Sequence, residues 1–198
     1  MAADRRLSKE WLEAYFTYGV DPIKRRVWLH GDVEESDISF VLKGLYLMDE
    51  ESSKPIELFV SSFGGSVYEM FSVYDVIRLL RSPVHTVAIG KCMSAAPLLV
   101  AAGTKGDRYA MPNAWFMVHE GSAGVGSSRQ AALEAEIAHN KKLNENWYSL
   151  MAIHTDKNKT WWRNKCKKIS DSFFDAEEAV EIGLVDQIWL PNKSDPKK

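Results

Sequence analysis

Residues 56–77 read IELFVSSFGGSVYEMFSVYDVI, and this stretch decides the fold class. Its beginning, residues 56–60, is rich in apolar residues between turn-forming segments and predicts a buried strand. The glycine pair at 64–65 predicts a tight turn, and the apolar residues of 67–77 recur at helical spacing. Because strand, glycine turn and helix follow in this order, the stretch predicts one repeat of an α/β fold.

The segments on either side continue this alternation of strands and helices. Further strands are predicted at residues 26–30, 84–89, 115–119 and 185–190. Further helices are predicted at residues 7–18, 38–48, 95–102, 129–154 and 175–183. We expect Ser36 or Asp37 to cap the 38–48 helix, and Asp175 with Glu178 to form a capping box before a helix stop at Gly183. The long 129–154 helix is mostly polar, which predicts that it projects and contacts another copy of the chain.

The composition fits one folded domain without a basic surface. The chain has 198 residues, of which 45% are apolar and 26% are charged, and its formal net charge is −2. Such a balance gives no excess charge for a phosphate backbone or an anionic lipid surface, so we expect no nucleic acid and no membrane partner. The first twenty residues contain no apolar stretch typical of a secretory signal, which favours a cytoplasmic location. Cys92 and Cys166 have neither disulfide-scaffold nor metal-ligand spacing.

Two polar residues lie where chemistry could occur. Ser94 follows a predicted strand and begins a buried helix, where free backbone N–H groups would stabilise an anion; the alternative is that it only caps the helix. His119 ends an apolar strand, and its alternative is a core histidine with a satisfied ring nitrogen. The spacing around them matches neither G-x-S-x-G nor H-E-x-x-H. The Gly64-Gly65 pair could cradle phosphate, point backbone amides at a reacting carbonyl, or form a plain turn.

Five segments in order resemble the ClpP family, the proteolytic subunits of Clp protease. They are residues 61–67 (SSFGGSV), 90–96 (GKCMSAA), 102–113 (AGTKGDRYAMPN), 117–120 (MVHE) and 173–186 (FFDAEEAVEIGLVD). The resemblance runs from about Arg25 to Leu190. It implies an α/β fold, a ClpP/crotonase-like spiral of repeated ββα units with the 129–154 helix as a protruding handle. The domain limits would be 1–20 for an N-terminal helical segment, 21–191 for the peptidase domain and 192–198 for a solvated tail.

The resemblance also implies a serine endopeptidase that hydrolyses unfolded polypeptides in a ring-shaped chamber. Ser94 would be the nucleophile, His119 the general base and Asp171 the acid that orients the imidazole. Gly65 and Ala95 would donate the oxyanion-hole amides. No cofactor and no metal would be needed. The chain would form a homo-oligomer, either a heptamer or a tetradecamer of two stacked rings.

Departures from the family pattern alter the expected partners and the substrate edge. Phe63 and Gly121 both replace prolines, which predicts altered and more flexible substrate-binding edges. Phe59 and Tyr109 resemble residues that line the docking pockets for an AAA+ unfoldase, whereas Glu57 stands where an aromatic is usual. A carboxylate there would oppose an apolar docking loop.

Two other functions remain open at the level of sequence. A crotonase-like acyl-CoA enzyme would share the fold and the paired amides, but would need no serine nucleophile. A non-catalytic ring subunit would keep the handle helix while His119 or Asp171 failed to reach Ser94.

Overall fold

The computed structural model describes residues 8–121, 129–168 and 171–190. Leu7 and the predicted 192–198 tail lie outside these ranges. The strands are β1 (Val20–Asp21), β2 (Arg26–His30), β3 (Ile56–Ser62), β4 (Val84–Met93), β5 (Arg108–Ala110), β6 (Trp115–Val118), β7 (Ser172–Phe174) and β8 (Gln187–Ile188). The helices are α1 (Lys9–Tyr18), α2 (Glu35–Glu51), α3 (Val67–Leu79), α4 (Ala96–Ala101), α5 (Gln130–His154), α6 (Lys159–Lys168) and α7 (Ala176–Glu181).

The strands form one sheet whose central members are parallel. Its main path runs β1-β2-β3-β4-β5-β8, and β6 and β7 branch from it. The branch arises because β4 is ten residues long: its residues 86–88 pair with β5, while its residues 91–93 pair with β6. Strand β7 then adds antiparallel to β6. Helices pack against this mostly parallel sheet, so the predicted α/β class is confirmed.

The core lies between the sheet and the helices that follow its strands. Helix α4 is buried along its whole length and contacts β3 and β4, while α2 contacts β2, and α3 packs against α2 and α4. Side chains of both the sheet and the helices are fully buried there, including Leu58 on β3 and Met70 on α3. The alternation read from residues 56–77 therefore produces the expected strand and helix.

A buried arginine ties the C-terminal segment to the core. Arg108 donates to both carboxylate oxygens of Asp186, at 2.8 and 2.6 Å, and to the carbonyls of Ala101 and His154. Burial alone would raise the pKa of Asp186, but the hydrogen bonds and charge of Arg108 outweigh it and hold that pKa below its usual value. Burial, followed by the nearby arginine charges, lowers the pKa of His154 to about 4. His154 is therefore a neutral imidazole at neutral pH, and it contacts the Tyr74 hydroxyl at 3.0 Å.

Two of the predicted helix boundaries are right and one is wrong. The Asp175–Glu178 capping box is present, and Gly183 follows α7 with φ +71°. The expected cap at Ser36 or Asp37 is wrong, because α2 begins earlier, with Glu34 at the N-cap and no side-chain cap hydrogen bond.

Helix α1 confirms the predicted N-terminal helix. Ser8 caps it by accepting from the Trp11 amide, and Gly19 ends it in the left-handed conformation. The helix has no buried residue; it lies on the sheet through Tyr15, whose ring meets that of Trp28 edge-on at 5.1 Å. Within the described parts of the chain, no helix is both long and apolar enough to cross a bilayer.

Candidate active site

The sheet topology brings three separate segments to one edge. Met93 pairs with Met117 in the parallel β4–β6 ladder, so the residues that follow these strands emerge side by side. Val118 pairs with Ser172 in the antiparallel β6–β7 ladder. Because β7 runs in the opposite direction, the residue before it lies beside the residue after β6. Strand register alone therefore places Ser94, His119 and Asp171 next to one another.

Ser94 and His119 are in direct contact. The Ser94 Oγ lies 2.7 Å from His119 Nε2, the distance of a good hydrogen bond. Ser94 has φ +58°, a left-handed backbone that few non-glycine residues adopt and that is typical of strained functional turns. Its hydroxyl does not cap α4, since the N-cap is Ala95 and makes no side-chain cap hydrogen bond.

Asp171 lies on the other side of the imidazole. Its Oδ1 is 3.5 Å from His119 Nδ1, within ion-pair range and longer than a strong hydrogen bond. The side chains of His119 and Asp171 are 32% and 45% exposed, so His119 is not an enclosed core histidine. Contacts of this kind are often long in a resting site and shorten when substrate binds.

The glycine pair lies directly against Ser94. Gly64 and Gly65 have φ of +99° and +151°, and a Cβ on Gly64 would come within 2.6 Å of the Ser94 Cβ. Val33 holds the pair from the other side, donating to the Gly64 carbonyl and accepting from the Ser66 amide, both at 2.8 Å. Glycine is required here because any side chain would collide with backbone.

Two backbone amides at this edge have no hydrogen-bond acceptor within the described ranges. Among the residues that the structure describes, nothing accepts a hydrogen bond from the N–H of Gly65 or of Ala95. Both residues line the same cavity as Ser94 and His119. Unpaired N–H groups beside a hydroxyl that contacts a histidine form a suitable arrangement for stabilising an oxyanion.

That cavity has a volume of about 430 Å³ and lies between α3 and α5. Among the described residues, its walls carry no Asp, Glu, Lys or Arg side chain. The lining residues are Gly65, Ser66, Val67, Tyr68, Met70, Ser94, Ala95, His119, Gly121, Asn140, Leu143, Asn144 and Trp147. The contribution of α5 was not predictable from the sequence, because nothing in a polar helix far along the chain indicates which residues face Ser94.

Other chemistry has less support in the described ranges. Among residues 8–121, 129–168 and 171–190, no three His, Cys, Asp or Glu side chains are grouped as metal ligands. Cys92 and Cys166 are both free and buried, and burial raises the pKa of both thiols, to about 12 for Cys166. Neither thiol is a candidate nucleophile.

Comparison with known proteins fixes the family. The Clp protease family model matches residues 13–192, nearly the whole chain. The chain belongs to the Clp protease family. The resemblance predicted from five short segments is thus confirmed, and the α/β architecture is that of ClpP proteins.

Named Clp protease relatives match over similar lengths. A protein of Frankia casuarinae described as ATP-dependent Clp protease proteolytic subunit 2 is 34% identical over 187 residues, covering 89% of this chain and 83% of the relative. A protein of Synechococcus sp. (strain CC9605) described as ATP-dependent Clp protease proteolytic subunit 3 is 34% identical over 181 residues, covering 91% of this chain and 88% of the relative. This Clp family member is therefore similar to proteolytic subunits along most of its length.

Proposed function

We propose that this Clp family protein is a serine endopeptidase that hydrolyses unfolded polypeptides or peptides with Ser94, His119 and Asp171. The observation that carries the proposal is the 2.7 Å contact between Ser94 Oγ and His119 Nε2, beside two backbone amides for which no described residue is an acceptor. A serine hydroxyl is a weak nucleophile until a base takes its proton, and the contact with His119 Nε2 supports that role for His119.

The geometry supports acyl transfer in two stages. His119 Nε2 takes the proton as Ser94 Oγ attacks the peptide carbonyl carbon, and the amides of Gly65 and Ala95 donate to the oxyanion that forms. His119 then gives the proton to the leaving amine as the peptide C–N bond breaks. In the second stage His119 takes a proton from water, the hydroxide adds to the acyl-enzyme, and Ser94 leaves with its proton restored. Asp171 orients Nδ1 and stabilises the imidazolium in both stages.

The cavity suggests which side chain is held next to the cleaved bond. Met70, Leu143 and Trp147 supply apolar surface, while the polar side chains of the lining other than His119 carry uncharged amides and hydroxyls. Burying a charged side chain without a partner is costly. We therefore expect an uncharged, mainly apolar residue on the acyl side of the scissile bond.

Assembly and partners follow from the same proposal. Helix α5 exposes Ile137 and Ile153, at 55% and 70%, which is suitable for contact with another copy in stacked heptameric rings. The relatives are described as ATP-dependent, which suggests an AAA+ unfoldase partner.

The expected docking surface carries a charged pair. Glu57 pairs with Arg26, whose guanidinium lies 5.8 Å from the centre of the Phe59 ring. Tyr109 completes the aromatic surface through contact with Trp189. An apolar docking loop would have to cover this ion pair, so we expect weaker unfoldase binding than a fully aromatic surface would give.

The two alternatives gain no specific support. A crotonase-like enzyme has no use for a hydroxyl held by a histidine, and a non-catalytic ring subunit gains nothing from the strained backbone at Ser94.

The test is hydrolysis of fluorogenic peptides by the full chain and by Ser94→Ala. Ser53→Ala is the matched control, because it removes an exposed hydroxyl in the turn before β3, at the opposite end of that strand from the glycine pair. We expect Ser94→Ala to lower kcat/KM by about 10⁴-fold or more, with the assembled mass unchanged by light scattering. A Ser94→Ala variant that keeps more than about a tenth of the wild-type kcat/KM would overturn the proposal.

A further inference from the structure

The backbone just after His119 is held by one side chain of α5. The Gly121 amide donates to Asn144 Oδ1 at 2.9 Å, and Asn144 Nδ2 donates to the Gly121 carbonyl at 3.1 Å. One carboxamide therefore satisfies both backbone groups of a single residue, as a residue on a neighbouring strand would in a hydrogen-bonded pair. Gly121 is only two residues from the imidazole.

Asn144 is itself fixed by the packing of α5. Trp147 and Tyr148, which follow Asn144 by three and four residues and so by about one helical turn, are 7% and 1% exposed. Glu145 receives hydrogen bonds from Arg163 on α6, which together with Lys159 lower its pKa to about 2. The carboxamide thus projects from a helix whose rotation is fixed on both sides, which makes it a rigid support.

A second contact supports the same segment. The Tyr148 hydroxyl donates to Glu120 Oε1 at 3.4 Å, and Lys167 Nζ lies 3.7 Å from the same carboxylate. Contacts from α5 and α6 therefore hold the residues at 120 and 121.

The size of Gly121 suits the contact. A Cβ at this position would lie 3.1 Å from Asn144 Oδ1, closer than ordinary van der Waals contact. An N–H is required as well, because Asn144 Oδ1 accepts from it. The glycine at position 121 predicts a more flexible substrate-binding edge, and Asn144 supplies a restraint at that point.

We infer that Asn144 is a positioning residue, which fixes Gly121 and through it the orientation of His119 towards Ser94. The inference rests on the proposed function, since it assigns Asn144 a part in the same reaction. Asn144 also lines the cavity, so a direct contact with substrate is the competing explanation. Positioning His119 affects the chemical step and lowers kcat, whereas a contact that only binds substrate raises KM.

The first test compares Asn144→Ala with Asn146→Ala in the full chain. Asn146 is exposed on the same helix, so its replacement makes the same chemical change away from the cavity. We expect Asn144→Ala to lower kcat by about tenfold and to change KM by less than about twofold, with Asn146→Ala at the wild-type rate. An unchanged kcat, or a loss expressed mainly in KM, would overturn the inference.

The second test is a double-mutant cycle with Gly121→Pro, which removes the N–H that Asn144 accepts. If the two residues act through their contact, Asn144→Ala costs much less activity in the proline background than in the wild type. Losses in kcat that simply multiply would overturn the inference. If the proline variant fails to assemble, the kcat and KM of Asn144→Ala still decide whether Asn144 acts as a positioning residue.

Hydrogen exchange separates this inference from the proposed function. The Gly121 amide should exchange about tenfold faster in Asn144→Ala than in the wild type or Asn146→Ala. Equal exchange would show that the contact does not hold Gly121, even in an active enzyme. A wild-type chain without peptidase activity would overturn both the proposed function and the positioning role of Asn144, whatever the exchange rate of the Gly121 amide.

Discussion

Replacing Gly65 with alanine is expected to damage the oxyanion site more than the fold. The new Cβ would lie 2.6 Å from the Val33 carbonyl oxygen, a backbone atom that cannot rotate away. Gly65 also has φ +151°, outside the range that alanine adopts readily. To relieve the collision and the backbone strain, the chain at residue 65 must move away from Val33. The residue 65 amide, the proposed oxyanion donor, must move with it.

The size of the effect follows from what that amide does in the proposed mechanism. Loss of one oxyanion donor typically raises the barrier by about 3–4 kcal/mol, so kcat should fall by about 10²–10³-fold. Backbone strain adds about 1–3 kcal/mol of lost stability, which a folded assembly can tolerate. KM should change much less than kcat, because the amide interacts most strongly with the oxyanion of the transition state.

Gly106→Ala is the matched control for strain. Gly106 has φ +97°, but a Cβ there meets nothing within 4 Å, so alanine strains the backbone without a collision. The assay is steady-state peptide hydrolysis, with assembled mass and melting temperature measured for both variants. If assembled Gly65→Ala keeps kcat within about threefold of wild type, the oxyanion role of Gly65 is refuted. An equal loss in Gly106→Ala would refute the argument that collision at Val33 causes the effect.

Three further predictions concern buried groups. Cys92 and Cys166 should not react with an aromatic disulfide reagent until the protein is denatured, because burial raises the pKa of both thiols; fast reaction in the native protein would contradict this. The folded-state pKa of His154 is about 4, against 6.5 for the free side chain, so its contribution to stability is present above pH 6.5 and lost as the pH falls towards 4. The melting temperature of the wild type should therefore fall more than that of His154→Gln as the pH decreases from 6.5 to 4. Parallel curves of melting temperature against pH would contradict the lowered pKa of His154. Arg108→Met leaves Asp186 without its cation and should lower the free energy of unfolding in urea by about 3 kcal/mol; an unchanged midpoint would show that the ion pair is not needed.

The sequence predicted those elements that carry a strong local pattern. Helices α1, α2, α3 and α5 have apolar residues at helical spacing, and each forms close to the expected limits. Helix α6 was missed because its segment, KTWWRNKCKK, is short and mainly polar, and its buried residues Trp162 and Cys166 form only a short stripe. It forms through tertiary contacts: Trp162 is fully buried, and its Nε1 donates to Thr155 Oγ1 at 2.9 Å.

Strand limits depend on partners that the sequence does not show. The predicted 185–190 strand pairs only at Gln187–Ile188, because β5, its partner, is three residues long. Strand β7 was missed because it is itself only three residues long, too short to show an alternating pattern of apolar and polar residues. Its antiparallel register against β6 is nevertheless what places Asp171 beside His119.

For the site, the family pattern indicated Ser94, His119 and Asp171, and the structure brings all three together. The far wall of the cavity was not predictable. Asn144 and Trp147 lie on a helix that was assigned to assembly alone, and their distance from Ser94 along the chain hides their proximity in space.

The most direct measurement of the central claim is covalent labelling with a fluorophosphonate, mapped by tandem mass spectrometry. If His119 activates Ser94 beside two oxyanion donors, the wild-type chain acquires one adduct on Ser94, and labelling is lost in His119→Ala. An unlabelled Ser94 in the assembled wild-type protein, or an equal labelling rate in His119→Ala, would contradict the account.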